Sequence, residues 1–161
     1  MKWTDTVASN CRYGSIAERL FKDAEIIWED SDDDYQGYAT VLAQMADGRF
    51  CLYDWTYGSC SGCDEWEDRG LSDDEIEIEM CRAAAFFSTV EQVQRYFHLD
   101  PYVEDVPWPS ANLVTNGSVP GMLHSAFGGI GDEFKAAGAA FEAWLGARRL
   151  PAGQCEPETA L

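Results

Sequence analysis

The chain has 161 residues, of which 29 are Asp or Glu and 11 are Lys or Arg, so its formal charge at neutral pH is −18. Binding to DNA, RNA or anionic membranes relies on Lys and Arg side chains that neutralise phosphates, so this charge excludes those surfaces as direct partners. Hydrophobic residues make up 46% of the chain and aromatic residues 13%, which is too apolar for an intrinsically disordered protein.

The first half of the sequence predicts a helix followed by an antiparallel meander. Residues 15–22 have apolar side chains at helical spacing, with Ser15 as the N-cap and Glu18 completing a capping box. Segments rich in β-branched and aromatic residues predict strands at 24–28, 35–45 and 49–56, the last two joined by a short loop at 46–48. Alternation along the third strand places large apolar groups on both of its faces, so helices are expected to cover at least one face.

The second half predicts two amphipathic helices. The first begins at Ser72, which forms a capping box with Glu75, and it is expected to continue as one long helix to about His98. Its apolar positions form a single stripe made of Ile76, Met80, Ala83, Phe87, Val90 and Phe97. A proline-rich loop at 100–121 separates this helix from a second one at 131–147.

The expected fold is therefore α+β. One domain spans residues 1–150, in which an antiparallel meander of three or more strands packs against a long central helix and a C-terminal helix. Residues 151–161 are predicted to form a flexible tail. The N-terminal sequence lacks an apolar signal region, and no apolar run reaches the roughly 18 residues that span a bilayer, so a cytoplasmic protein is expected.

The most distinctive segment is Tyr-Gly-Ser-Cys-Ser-Gly-Cys-Asp at residues 57–64. Its C-x-x-C turn can pack two structural thiols, hold them around a zinc ion, or close as a redox disulfide. The acidic residues that follow raise a thiol pKa, which disfavours the redox interpretation but favours a bound cation. Zinc is thus the one candidate cofactor. The candidate metal ligands are Cys60, Cys63, Cys51 and Cys81, with His98 and His124 as further possibilities.

The same segment is similar to one that follows a hairpin in small phage and bacterial proteins. The resemblance is confined to residues 53–67 of this sequence and implies no activity. It implies that the source is a phage or another mobile element, in which case the protein acts in the cytoplasm of the host cell.

Other motifs in the sequence are incomplete. Asp30, Asp32 and Asp34 have the alternate spacing of an EF-hand loop, but the sixth and twelfth positions are Tyr35 and Val41 in place of Gly and Glu. Residues 29–34 are therefore interpreted as a solvated turn between strands. The chain has two histidines and no nucleophile motif, so no catalytic residue is assigned.

These patterns favour a non-enzymatic binding protein that docks on a basic surface of a host nucleic-acid-binding protein. Carboxylates on a folded scaffold would imitate nucleic-acid phosphates, as in inhibitors of the anti-CRISPR or anti-restriction type, and Trp28, Trp55 or Trp66 would anchor the contact. The residues assigned to the partner surface are Asp30, Asp32, Asp33, Asp34, Asp64, Glu65, Glu67, Asp68, Asp73 and Asp74. Three alternatives stay open: a small zinc domain organised by Cys60 and Cys63, an enzyme, and acidity that serves solubility alone.

Overall fold

The computed structural model describes residues 1–60, 64–98 and 132–149, in which the chain forms a four-stranded antiparallel sheet with the order β1-β2-β3-β4. The strands are β1 (Glu25–Asp32), β2 (Gly37–Gln44), β3 (Phe50–Tyr57) and β4 (Ala85–Phe87). A tight turn links β2 to β3, in which Gly48 adopts a φ of 87° that favours glycine. The predicted α+β class and antiparallel meander are confirmed.

Five helices accompany the sheet in the described part of the chain. They are α1 (Gly14–Phe21), α2 (Glu65–Asp68), α3 (Asp73–Ala83), α4 (Val90–His98) and α5 (Asp132–Arg149). Two short 3-10 turns, Trp3–Asp5 and Ala8–Asn10, precede them. None of the described helices is both long enough and apolar enough to cross a membrane.

Strand β3 is buried on both faces, as its alternation predicts, and each face belongs to a separate core. The α1/α3 core contains Cys51, Tyr53 and Trp55 of β3 together with Ile16, Phe21, Ile76 and Met80. The α4/α5 core contains Phe50 and Leu52 of β3 together with Phe87, Val93, Tyr96, Phe141 and Leu145. Because a sheet with two apolar faces must exclude water from both, the fold has helices on each side of it.

The prediction of one long helix from Ser72 to about His98 is wrong. Helix α3 ends at Ala83, β4 pairs with the start of β3, and α4 begins at Val90. The apolar stripe is divided between the two cores, so the chain must cross the edge of the sheet between them. Helix α4 begins with a second capping box: the Thr89 hydroxyl accepts from the Gln92 backbone amide at 3.2 Å, and the Gln92 side chain accepts from the Thr89 amide at 3.3 Å.

Two predicted boundaries near the N-terminal half also differ. Helix α1 begins at Gly14 without a side-chain cap, preceded by Tyr13 in the left-handed region at φ 67°, so the Ser15 capping box is wrong. Strand β1 extends to Asp32, so Asp30 and Asp32 belong to the strand and the connecting turn comprises residues 33–36. The predicted loop at 100–121 and the tail at 151–161 lie outside the described residues.

Gly14 is required by a close backbone contact. A Cβ atom at this position would lie 2.5 Å from the Ser9 carbonyl oxygen and 2.6 Å from that of Ala8, whereas a Cβ at Gly146 in α5 would meet nothing within 4 Å.

We expect Gly14→Ala to lower the free energy of unfolding by about 1–3 kcal/mol, because the backbone must move apart. Gly146→Ala, the matched control, should raise it by about 0.5–1 kcal/mol through helix propensity. Urea denaturation of both variants tests this, and equal effects would contradict the packing of Gly14.

Candidate functional site

The end of β1 and the turn that follows it carry four aspartates and one tyrosine, which we call the acidic hairpin: Asp30, Asp32, Asp33, Asp34 and Tyr35. The carboxylates of residues 32–34 are exposed, and that of Asp30 is half-buried and accepts from the Tyr38 hydroxyl at 3.3 Å. Asp32 also accepts the Asp34 backbone amide at 3.1 Å, which closes the turn. Tyr35 is 79% exposed at the tip. The hairpin therefore presents carboxylates around an aromatic side chain.

No ion pair neutralises the acidic hairpin within the described residues. The acidic residues of α2 and α3 differ in this respect, because three arginines each bridge two of them. Arg12 pairs with Asp64 and Glu67, Arg19 with Asp74 and Glu77, and Arg69 with Glu65 and Glu79. Asp68 and Asp73 are exposed outside these pairs. The helix side is thus partly compensated, while the hairpin keeps its full charge.

Asp64 was expected on the partner surface, but it is 3% exposed and its carboxylate is used inside the protein. It caps α2 by accepting the Glu67 amide at 3.1 Å, and it accepts the Tyr13 hydroxyl at 2.6 Å and the Gly58 amide at 3.2 Å. Burial opposes its ionisation, but these hydrogen bonds and the charge of Arg12 outweigh burial and lower the pKa of Asp64. Asp64 therefore holds the N-terminal segment, β3 and α2 together.

The aromatic anchors expected from the sequence are also placed inside. Trp55 is 4% exposed, and its indole N–H donates to the Arg12 carbonyl oxygen at 2.9 Å. Trp66 packs edge-on against Tyr13 with ring centroids 4.9 Å apart, and Trp28 packs against the α4/α5 core. The exposed aromatic residue at the acidic surface is instead Tyr35. Its position in the turn directly after three consecutive aspartates was the signal for it.

Among the described cysteines, the structure does not bring Cys60 together with Cys51. Cys51 is fully buried at the start of β3, whereas Cys60 follows the end of that strand, so the two lie roughly 20 Å apart along an extended chain. Cys81 on α3 interacts with Cys51 and so belongs to the same end as Cys51. Cys63, His124 and the side chain of His98 lie outside the described residues. Among the residues described, no three His, Cys, Asp or Glu side chains are arranged to hold a metal ion.

The outer edge of β3 is open along most of its length. Strand β4 pairs with Phe50, Cys51 and Leu52, whereas β2 pairs with all of β3. In the described part of the chain, no strand pairs with the β4 side of residues 53–57. A groove with a volume of about 520 Å³ lies beside this edge, and α2 and α3 form its other wall through Glu65, Trp66 and Glu79.

Asp54 lies on this open edge and was not assigned to any site from the sequence. It is 7% exposed, and its Oδ1 atom is buried without a hydrogen-bond partner. Burial raises its pKa to about 7, opposed in part by its own backbone N–H. Its neighbours include Tyr96 of α4, whose phenol pKa is raised by burial and by the charge of Asp54. The signal in the sequence was a single Asp inside the apolar strand Phe-Cys-Leu-Tyr-Asp-Trp.

The fold and these surfaces define an acidic α+β protein with a sheet covered on both faces, an uncompensated hairpin and an open strand edge. Comparison with protein-family models, with curated proteins and with solved structures finds no significant match.

The two buried aspartates should respond to pH in opposite directions. The unfolded-state pKa of Asp is about 3.9, so the raised pKa of Asp54 contributes stability that is present below that value and is lost as the pH rises through about 7. We expect Asp54→Asn to match the wild type near pH 4 and to exceed its free energy of unfolding by on the order of 2–4 kcal/mol near pH 8.

The Asp64→Asn variant is expected to show the opposite pH dependence of stability. Because the pKa of Asp64 is lowered by folding, its stabilising contribution is present above about pH 4 and is lost as the pH falls. Asp64→Asn should therefore be less stable than the wild type at neutral pH, with a deficit that shrinks in acid. Urea denaturation between about pH 2 and 8 measures both differences, because the Asp64 contribution is lost below about pH 4 and the Asp54 contribution is lost above it. A difference for Asp54→Asn that does not grow with pH would contradict its buried, unpartnered state.

Proposed function

We propose that this chain is a non-enzymatic binding protein whose acidic hairpin docks on a basic surface of another protein. The observation that carries the proposal is the contrast in charge compensation. Arginines bridge most of the acids on α2 and α3, whereas the four aspartates of the acidic hairpin have no ion pair among the described residues. Carboxylates without an internal counter-charge are the ones that a cationic partner can neutralise.

The hairpin geometry supports a protein partner. Exposed charges that are complementary to a partner accelerate encounter and set specificity more than they set final affinity. Affinity requires an apolar or aromatic contact near the centre of the charges, since Tyr, Trp and Arg dominate the energetics of interfaces. Tyr35 supplies such a contact, because it directly follows Asp34 in the turn and 79% of its surface is accessible.

A nucleic-acid-binding protein is the partner class we favour. Such a protein already carries a surface of Lys and Arg side chains that bind phosphates, and a cluster of carboxylates can occupy that surface. The net charge of −18 adds a long-range attraction for it and a repulsion of nucleic acid itself. If the source is a phage or mobile element, the partner is a host enzyme of nucleic-acid defence in the cytoplasm, and the protein is an inhibitor of the anti-CRISPR or anti-restriction type.

Two variants with the same change in charge test the proposal. The hairpin variant combines Asp30→Asn, Asp32→Asn, Asp33→Asn and Asp34→Asn, and the helix-side variant combines Glu65→Gln, Glu67→Gln, Asp73→Asn and Asp74→Asn. Each tagged protein is used to capture proteins from a bacterial lysate at low salt, with elution by salt or by duplex DNA and identification by mass spectrometry. We expect the wild type and the helix-side variant to retain basic nucleic-acid-binding proteins, and the hairpin variant to lose them.

Elution of the captured protein by duplex DNA is expected because both ligands would compete for the same basic surface. Equal losses in the two variants would show that overall charge and not the hairpin determines capture. Full retention by the hairpin variant, or a failure of the wild type to retain any basic protein, would contradict the proposed function.

A further inference from the structure

The open edge of β3 presents backbone groups that are positioned to extend the sheet. In the turn before β3, the Met45 backbone amide donates to the Arg49 carbonyl oxygen at 2.7 Å. Along an antiparallel ladder, every second residue of a strand forms backbone hydrogen bonds to the same neighbouring strand. Arg49 bonds toward β2, so the residues of β3 whose backbone groups also bond to β2 are Cys51, Tyr53, Trp55 and Tyr57. The backbone N–H and C=O groups of Asp54 and Thr56 therefore point away from β2, toward the open edge.

The groove beside this edge selects for positive charge. The described residues that line it include four carboxylates and no Lys or Arg. Three of the carboxylates have internal partners: Asp64 accepts from Tyr13, and Glu65 and Glu79 pair with Arg69. Asp54 lines the groove at the strand edge, but alternation along β3 places its side chain on the α4/α5 face with Phe50 and Leu52. It is 7% exposed, and its Oδ1 atom has no hydrogen-bond partner among the described residues. A buried carboxylate without a partner is satisfied best by a cation that arrives with a ligand.

We propose that residues 53–57 of β3 accept an extended segment of the partner protein as an added strand, and that a Lys or Arg side chain of that segment pairs with Asp54. This inference rests on the proposed function, because it names how a basic partner engages the same protein. The added strand would hydrogen-bond to the outward groups of Asp54 and Thr56, which is recognition by strand addition. Main-chain bonds would supply affinity, and the acidic groove would supply the preference for a basic segment.

The dimensions of the edge fit such a segment. Five residues of β3 offer an edge of roughly 17 Å, the length of a typical strand. The groove volume of about 520 Å³ is within the range of pockets that accept side chains of a ligand. A second copy of this chain fits poorly, because it would bring another unpaired Asp54 and a charge of −18 to the same edge.

The open edge and the acidic hairpin lie at the same end of the sheet. Tyr57 at the end of β3 is in register with Gly37 at the start of β2, and the Tyr57 hydroxyl donates to the Asp32 carbonyl oxygen in the hairpin. One partner can therefore contact both surfaces at once. The exposed hairpin would attract the partner, and the edge would hold it through contacts that exclude water.

A synthetic peptide of nine residues with alternating Lys and Thr tests the strand addition. The readout is amide hydrogen exchange of the protein, followed by NMR, with an otherwise identical Glu-Thr peptide as the control. The Lys-Thr peptide at about 1 mM, where even weak complexes form, should slow exchange of the Thr56 amide at least tenfold, and the Glu-Thr peptide should leave it unchanged. No binding of the Lys-Thr peptide, or binding without slower exchange at Thr56, would overturn the proposal.

Substitutions measure separately how the Asp54 charge and the backbone hydrogen bonds of β3 contribute to binding of the Lys-Thr peptide. Asp54→Asn should weaken binding of the Lys-Thr peptide tenfold or more, and Asp23→Asn, which removes an exposed carboxylate at the opposite end of the sheet, should not. Thr56→Pro removes one outward N–H at an edge position that tolerates proline, so it should weaken binding while Thr56→Ala does not. If Thr56→Pro does not fold, the exchange data and Asp54→Asn decide the outcome. Equal binding by Asp54→Asn and Asp23→Asn would overturn the pairing with Asp54.

The two sets of experiments distinguish a failure of strand addition from a failure of the proposed function. If the hairpin variant loses its captured proteins but the Lys-Thr peptide does not protect Thr56, the hairpin binds a partner and strand addition is wrong. If the peptide protects Thr56 and the hairpin variant still captures the same proteins, the edge binds a basic segment and the role of the acidic hairpin is wrong.

Discussion

The burial of β3 on both faces is the constraint on which the rest of the structure depends. Its side chains alternate between two cores, so neither face can be left to water, and helices must lie on both sides of the sheet. The segment after β3 covers the first face with α3 and the second face with α4, and it must pass the sheet edge between them. It does so through β4, which is so short that it pairs with three residues of β3, and no other described strand pairs with that side of residues 53–57. The open edge is thus a consequence of how the second core is covered.

Asp64 connects this layered arrangement to the N-terminal segment. Residue Tyr13 adopts a left-handed conformation that costs free energy in a non-glycine residue, and its hydroxyl bond to Asp64 and its contact with Trp66 help to hold it there. The same carboxylate caps α2 and accepts the amide of Gly58 just after β3. Arg12 lies beside it and pairs with Glu67. The acids near this junction are therefore structural, although in the sequence they resemble the rest of the acidic surface.

The sequence predicted the elements whose signal is local and missed those set by tertiary contacts. The meander was predictable because the turn at Gly48 and the alternation along β3 are read from a few residues. The sequence did not predict the break between α3 and α4. An apolar period of 3.6 residues indicates a helix, but it does not show that successive apolar residues pack into two different cores. The Thr89 and Gln92 capping box was a local signal for it. Whether a carboxylate is exposed like Asp33 or buried like Asp64 depends on packing. The composition of the sequence therefore located the acidic regions but could not show which of their residues are exposed and which are buried.

Asp54 explains how an open strand edge can be kept from pairing with the wrong partner. Unprotected edges associate with one another, and natural proteins prevent this with charges that point inward along the edge. Two copies of this edge would bring two Asp54 side chains together without a cation, so each would have to be protonated or remain an unpaired buried charge. A strand that brings a Lys or Arg meets no such penalty, since its charge pairs with the buried oxygen that has no partner in the described chain. Under the proposed strand addition, the residue that opposes self-association also sets the sign of the charge on the strand that binds there, and the edge and the acidic hairpin act as two parts of one cation-selective surface.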